Sequence, residues 1–159
     1  MYDMTMKILF LDIDGVLNSR LYDLQRTAEQ GNIDETRLPL LKQIVDETQA
    51  LIVLTSSWRK HWESDLNQCD TVGKELHTLF AKHQLPIHDK TPCLPDNDRA
   101  AEIRTWLAHH NACAYVILDD IALGWEELAP RVVKTNYRIG RGLETNHVQQ
   151  AIAILNNKF

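Results

Sequence analysis

The 159-residue sequence holds only three cysteines, Cys69, Cys93 and Cys113, with no CxxC pair among them. That excludes a disulfide framework and a cysteine-based zinc site, and it makes a reducing interior, the cytoplasm, the natural compartment. The seven histidines show no metal-ligand spacing, and His109-His110 reads as a solvated helix end. Long apolar runs are missing too. The first, residues 8–11, meets acids too soon to be a signal peptide or a membrane span. Positive charge is in the minority, 17 Lys and Arg against 22 Asp and Glu. The net charge of −5 argues against a broad nucleic-acid-binding face, although it leaves room for a locally positive groove. There are no repeats, low-complexity tracts or linkers.

What is present describes an ordinary globular chain, 44% hydrophobic and 25% charged. Its length suits one domain over residues 1–159, with residues 1–6 a ragged start, and a chain of this size buries roughly 70% of its unfolded surface. Short apolar runs at 8–11, 50–54, 115–118 and 131–135, with a weaker one at 85–87, read as strands; Pro130 fits an edge position. Between them lie helical patterns: Leu38, Leu41, Ile44 and Val45; a stretch within 60–82 around Leu76, Leu79 and Phe80, with Gly73 near a break; Ile103, Trp106 and Leu107 after a cap at Asp98; and Val148, Ile152 and Leu155. This alternation predicts an α/β fold, a parallel sheet of about five strands wrapped on both faces.

The run 8–11 drives into Asp12-Ile13-Asp14-Gly15. Side chains two apart on a strand share a face, so Asp12 and Asp14 are expected to point into one small volume. Two such charges need a compensating cation or a shared proton. Two further strands end in polar clusters, Thr55/Ser56 and Asp119/Asp120, at the edge where parallel sheets bind ligands. Acids with hydroxyls and a base suit a Mg²⁺ and phosphate site, because magnesium prefers oxygen donors. One carboxylate can then attack phosphorus while another protonates the leaving oxygen.

Asp12-Ile13-Asp14-Gly15-Val16 resembles the DxDG[TV] signature of haloacid dehalogenase (HAD) superfamily phosphatases. Thr55 is similar to that superfamily's second motif and Asp119-Asp120 to its fourth. More narrowly, DGVLN, Ser56-Ser57-Trp58-Arg59, Arg99 with Glu102-Ile103 and Trp106-Leu107, and VILDD resemble the HAD domains of Swiss army knife RNA repair proteins, over residues 7–153. The resemblance implies a three-layer, doubly wound Rossmann-like fold with little or no cap. It implies Asp12 as nucleophile and Asp14 as general acid and base, the latter's backbone carbonyl also facing Mg²⁺. Thr55 and the Ser56 N–H would hold the phosphoryl group, and Asp120 would complete the metal shell, with Asp119 direct or one step behind. The third motif, a basic residue, falls on Arg99 or else on Lys90. The implied substrate is a large or accessible phosphoester, such as a nucleotide or a nucleic-acid end.

Many relatives carry an acid where this chain has Gly124, for which Glu126 is the candidate substitute. Trp58 and Trp62, four apart, either stack a base or pack on the sheet, and Arg59 either contacts phosphate or anchors its loop. Tyr115 reads as core or sheet surface, and Cys113 as a small buried filler. Two rivals remain: a non-catalytic phosphate- or partner-binding module, which loss of Asp12 or Asp14 would favour, and a response-regulator receiver, whose acids belong at other strands.

Overall fold

In the computed structural model, which describes residues 6–121 and 125–156, five strands form one parallel sheet: β1 (Lys7–Leu11), β2 (Leu51–Leu54), β3 (Ile87–Lys90), β4 (Ala114–Asp119) and β5 (Val132–Lys134). Their spatial order is β3-β2-β1-β4-β5, so β1 is central and the chain winds outward from it in both directions. Four α-helices among the described residues lie between them, α1 (Arg20–Gln25), α2 (Leu38–Thr48), α3 (Thr71–Lys82) and α4 (Arg99–Ala108), and α5 (Thr145–Leu155) follows β5. This is the expected α/β, doubly wound, three-layer architecture. No helix among the described residues is long and apolar enough to cross a membrane.

Strand alternation divides the core. Leu9, Leu11, Ile52, Leu54, Val116 and Leu118 face α2, α3 and α5, where Leu41, Ile44, Leu76, Phe80 and Val148 complete one cluster. Ile8, Phe10, Val53 and Ile117 face the opposite way onto Ala100, Ile103 and Trp106 of α4. Each such large side chain contributes about 1.5–3 kcal/mol on burial, which fixes register firmly because a one-residue slip would exchange the two faces. β1 is buried on both sides, which is why its sequence is an unbroken apolar run.

Several local expectations are corrected. The third strand begins at Ile87 and runs through His88, Asp89 and Lys90. As an edge strand it has one neighbour and tolerates polar residues, and Pro86, lacking an N–H, precedes it. The helix sought within 60–82 starts only at Thr71, where the Asp70 carboxylate accepts from the Gly73 N–H at 3.0 Å. Gly73 is no break: a Cβ there would lie 1.9 Å from the His61 carbonyl oxygen, so its lack of a side chain lets α3 close on the preceding loop. Cys113 is exposed rather than buried. Between β1 and α2 the chain inserts only the six-residue α1 and a short 3-10 turn at Glu35–Arg37, which is the small cap region expected.

Candidate active site

The sheet's hydrogen-bond ladder continues past the strands at their carboxyl ends. The Asp12 N–H donates to the Leu118 carbonyl at 3.0 Å, the Thr55 N–H to that of Leu11 at 2.9 Å, and the Thr135 N–H to that of Asp119 at 3.1 Å. Asp12, Thr55, Asp119 and Thr135 therefore stand side by side along one edge, all buried.

On the β1/β4 side, Asp12, Asp119 and Asp120 each offer a carboxylate oxygen within 4.8 Å of the others. Gly15 makes this possible. With a left-handed φ of +84° it turns the chain so closely past Asp120 that a Cβ would lie 2.3 Å from the Asp120 Cγ. Arg99 answers two of these acids directly: its Nη1 lies 2.8 Å from Asp119 Oδ2 and 3.2 Å from Asp12 Oδ2. Arg99 opens α4, the helix packed on the face to which Asp12 belongs. Asp119 also accepts from the Ile121 N–H at 2.7 Å, and Asp12 from the Ile13 N–H at 2.9 Å.

This crowding shifts proton affinities. Burial, helped by the charges of Asp119 and Asp120, pushes the Asp12 carboxyl up to about 8 against the pull of Arg99. Asp120 is raised as well, by burial first and then by Asp119. Arg99 is held above its ordinary value: burial opposes its charge, but Asp12 and Asp119 outweigh it. The donor set fits a hard divalent cation. An octahedral ion with bonds of about 2.1 Å keeps its ligand oxygens roughly 3–4 Å apart, so small adjustments would let all three carboxylates share one.

Asp14 occupies a different setting. Its carboxylate is exposed and stands outside the group of three. β1 ends at Leu11 and the chain turns from Ile13 onward, the Ile13 carbonyl accepting from the Val16 and Leu17 N–H groups at 3.1 and 2.8 Å, so Asp14 does not join Asp12 in the acidic group as the shared strand face had suggested. Two hydrogen bonds hold it instead. Asn18 Nδ2 donates to Asp14 Oδ1 at 2.9 Å, and Trp58 Nε1 donates to Oδ2 at 3.3 Å. Asn18 also accepts from the Gly15 N–H at 2.8 Å and donates to the Asn32 carbonyl at 3.0 Å, which ties the turn together.

The loop after β2 completes the site. Thr55 is fully buried, and its hydroxyl has no hydrogen-bond partner among the described residues. Ser56 caps the following 3-10 turn, its hydroxyl accepting from the Trp58 N–H. That turn presents Trp58 toward Asp14 and Arg59 inward. Arg59 Nη1 donates to the carbonyls of Thr55 and Ser56 at 2.7 and 3.0 Å, and Nη2 pairs with Glu102 of α4 at 2.8 Å. Arg59 thus anchors its loop to the helix that carries Arg99. Lys90 is engaged elsewhere, on the carbonyls of Arg59 and Trp62 and on Glu63. Trp62 is buried against His77, so it does not pair with Trp58.

Three supporting residues were not assigned roles from sequence. Glu102 and Asn18 lie within the stretches that carried the resemblance, but an acid on a helix and an amide in a turn give no sign of their long-range partners. Thr135, whose hydroxyl donates to the Gly15 carbonyl at 2.6 Å, repeats the visible pattern of a polar residue at a strand's end. Glu126 is exposed, and Gly124 lies outside the described residues.

The family model described as the HAD domain in Swiss Army Knife RNA repair proteins matches residues 8–148, from β1 into α5. The chain belongs to this family of HAD domains. The matched span includes β1 from Ile8 onward, the other four strands, Asp12, Asp14, Asp119, Asp120 and Arg99. No curated protein and no solved structure matches the chain.

Proposed function

We propose that this HAD domain is a Mg²⁺-dependent phosphomonoester hydrolase working through an aspartyl-phosphate on Asp12, with a nucleotide or nucleic-acid end as substrate. The observation that carries the reading is the three-carboxylate group with Arg99 paired to two of its members, beside a buried Thr55 hydroxyl that has no partner among the described residues. An ungratified buried hydroxyl costs about 1–3 kcal/mol, and a phosphoryl oxygen would satisfy it. The family's association with RNA repair supports a phosphorylated nucleic-acid substrate.

Asp12, Asp119 and Asp120 would hold Mg²⁺, together with the Asp14 carbonyl. The ion would neutralise the acids and the phosphate so that two anions can meet. An ionised Asp12 oxygen attacks phosphorus and forms a P–O bond. The bond to the leaving oxygen breaks, its electron pair stays on that oxygen, and Asp14 gives it a proton. Asp14, now ionised, takes a proton from water as the water oxygen attacks phosphorus, which releases phosphate and restores the Asp12 carboxylate. Thr55 and the Ser56 N–H bind phosphoryl oxygens, and Arg99 stays fixed beside Asp12 where charge develops. The cytoplasm suits the free thiols of Cys93 and Cys113, both exposed.

A phosphatase panel of aryl phosphate, small metabolites and 3′- or 5′-phosphorylated oligonucleotides, run with Mg²⁺ and with chelator, tests this. Release of phosphate only with the metal is expected. Full activity in chelator would overturn the metal assignment, and no hydrolysis on any substrate would overturn the enzyme reading.

A further inference from the structure

Beside Asp14 lies a cavity of about 610 Å³ between the loop at 29–33 and α3. Its apolar wall is Trp58, Ile33, Leu76 and Leu79. Trp58 belongs to both places, because the indole that lines the cavity also donates to the Asp14 carboxylate at 3.3 Å. Asn18 makes the second tie, holding the other Asp14 oxygen and the carbonyl of Asn32 in the cavity's loop.

The direction of the reaction gives this adjacency a meaning. A general acid must stand within hydrogen-bonding reach of the leaving oxygen. The group bonded to that oxygen therefore leaves the site on the Asp14 side, away from the three clustered carboxylates, and the cavity is on that side. Its chemistry narrows the occupant. The volume falls in the range of small-molecule sites, roughly 300–1,000 Å³. An indole with aliphatic neighbours favours a flat ring that can stack and be buried. The rim carries three glutamates and two lysines, and one of those glutamates, Glu35, is already met by Lys82 and His83. No row of cations is there to follow a polyphosphate or a long strand.

We propose that this cavity is the leaving-group subsite and that it takes the nucleoside carrying the phosphate, with Trp58 as the specificity-determining residue. The proposal rests on the phosphatase reading above. It applies equally to a free mononucleotide and to the last nucleotide of a strand, since both present the same nucleoside.

The test uses the whole chain with Mg²⁺. kcat/KM for adenosine 3′- and 5′-monophosphate is compared with that for glycerol phosphate, which has the same scissile group and no ring. At least one nucleotide is expected to be favoured by about tenfold or more, mainly through KM. Thr78→Trp, and separately Glu75→Trp, fill the cavity from exposed positions on α3. Each is expected to raise the nucleotide KM about tenfold while leaving glycerol phosphate within about twofold. Adenosine is expected to compete with glycerol phosphate in the unmodified protein, a readout that needs no variant. An oligonucleotide ending in the same nucleotide separates the sources: equal kcat/KM marks the nucleoside alone as what is read, and a higher value marks a strand end. A nucleotide preference that is absent, or unmoved by both filling variants, overturns the subsite while glycerol phosphate hydrolysis keeps the phosphatase reading standing. Loss of all metal-dependent hydrolysis overturns that reading, and the subsite with it.

Discussion

Asp12 and Asp14 are separated by one residue, yet they occupy opposite kinds of environment. Asp12 is 4% exposed, faces two more acids and a guanidinium, and has its carboxyl pushed up to about 8. Asp14 is open to solvent, stands outside the acidic group and is held by an amide and an indole. The dry, charge-dense side has the properties needed to hold a cation and to position a nucleophile. The wet, neutral side has those needed to pass a proton to a leaving group and take one from water. The end of β1 at Leu11 and the turn that starts at Ile13 generate the difference, while Gly15, one residue on, lets that turn pass close against Asp120. A chain extended through residue 14 would have put both carboxylates on one face and drawn Asp14 into the acidic group.

The largest test of this division is Asp12→Asn, which is nearly isosteric. Turnover of an aryl phosphate is expected to fall to background while the circular dichroism spectrum is unchanged, because an amide cannot attack phosphorus. Wild-type activity in that variant would place the nucleophile elsewhere. Next in size is the cation on the dry side. Arg99→Ala is expected to depress kcat by about 10²–10³-fold, the scale for losing a fixed charge at a developing anion. Lys90→Ala, which loses loop carbonyls and Glu63 instead, is expected to act mainly on stability. The reverse order would move the balancing role to Lys90.

On the wet side, Trp58→Phe keeps a ring and removes the N–H that faces Asp14. A hydrogen bond to a charged group contributes about 1.5–3 kcal/mol when intact, but this one is exposed and long. Roughly a tenfold fall in kcat on an aryl phosphate is expected, and an unchanged kcat and pH profile would make Trp58 irrelevant to the proton's carrier. The smallest effect concerns stability. An unfolded aspartate titrates near about 3.9, so between there and about 8 the folded metal-free chain binds a proton that the unfolded chain does not. Stability from this source is complete below the lower value and is lost as pH rises through the upper one. The melting temperature in chelator is therefore expected to fall from about pH 5 to about pH 8, by roughly 3 °C for each kcal/mol lost. Asp12→Asn is expected to flatten the slope, and so is added Mg²⁺, whose charge removes the need for the proton. A slope that Asp12→Asn leaves unaltered would assign it to other groups.

The fold was legible wherever burial was two-sided. β1, β2 and β4 are apolar runs because both faces are covered, and each delivers its polar cluster where the ladder ends. β3 was misplaced because an edge strand of Ile87, His88, Asp89 and Lys90 lacks that pattern. The start of α3 depended on the Asp70 cap and on the contact that Gly73 permits with His61, a contact ten or so residues away in sequence and invisible in a pattern of periodicity. In the site, the acids and Thr55 could be named from strand ends and motif. The separation of Asp14 from Asp12 could not, since it follows from the strand stopping at Leu11 and a turn starting at Ile13 inside an otherwise alternating motif. Nor could the Arg59–Glu102 pair, whose partners are brought together only by packing α4 on the sheet.

The central claim is that phosphate passes through Asp12 while Asp14 only moves protons. Acid-quenching the chain during turnover of a phosphorylated oligonucleotide with Mg²⁺, followed by peptide mass mapping, tests it directly. Phosphate is expected on the peptide containing Asp12. In Asp14→Asn, where formation and hydrolysis of the intermediate are both slowed by about 10²–10⁴-fold, the same peptide is expected to be the only one labelled. Turnover with no phosphorylated peptide at any quench time, or a label that survives Asp12→Asn, would contradict it.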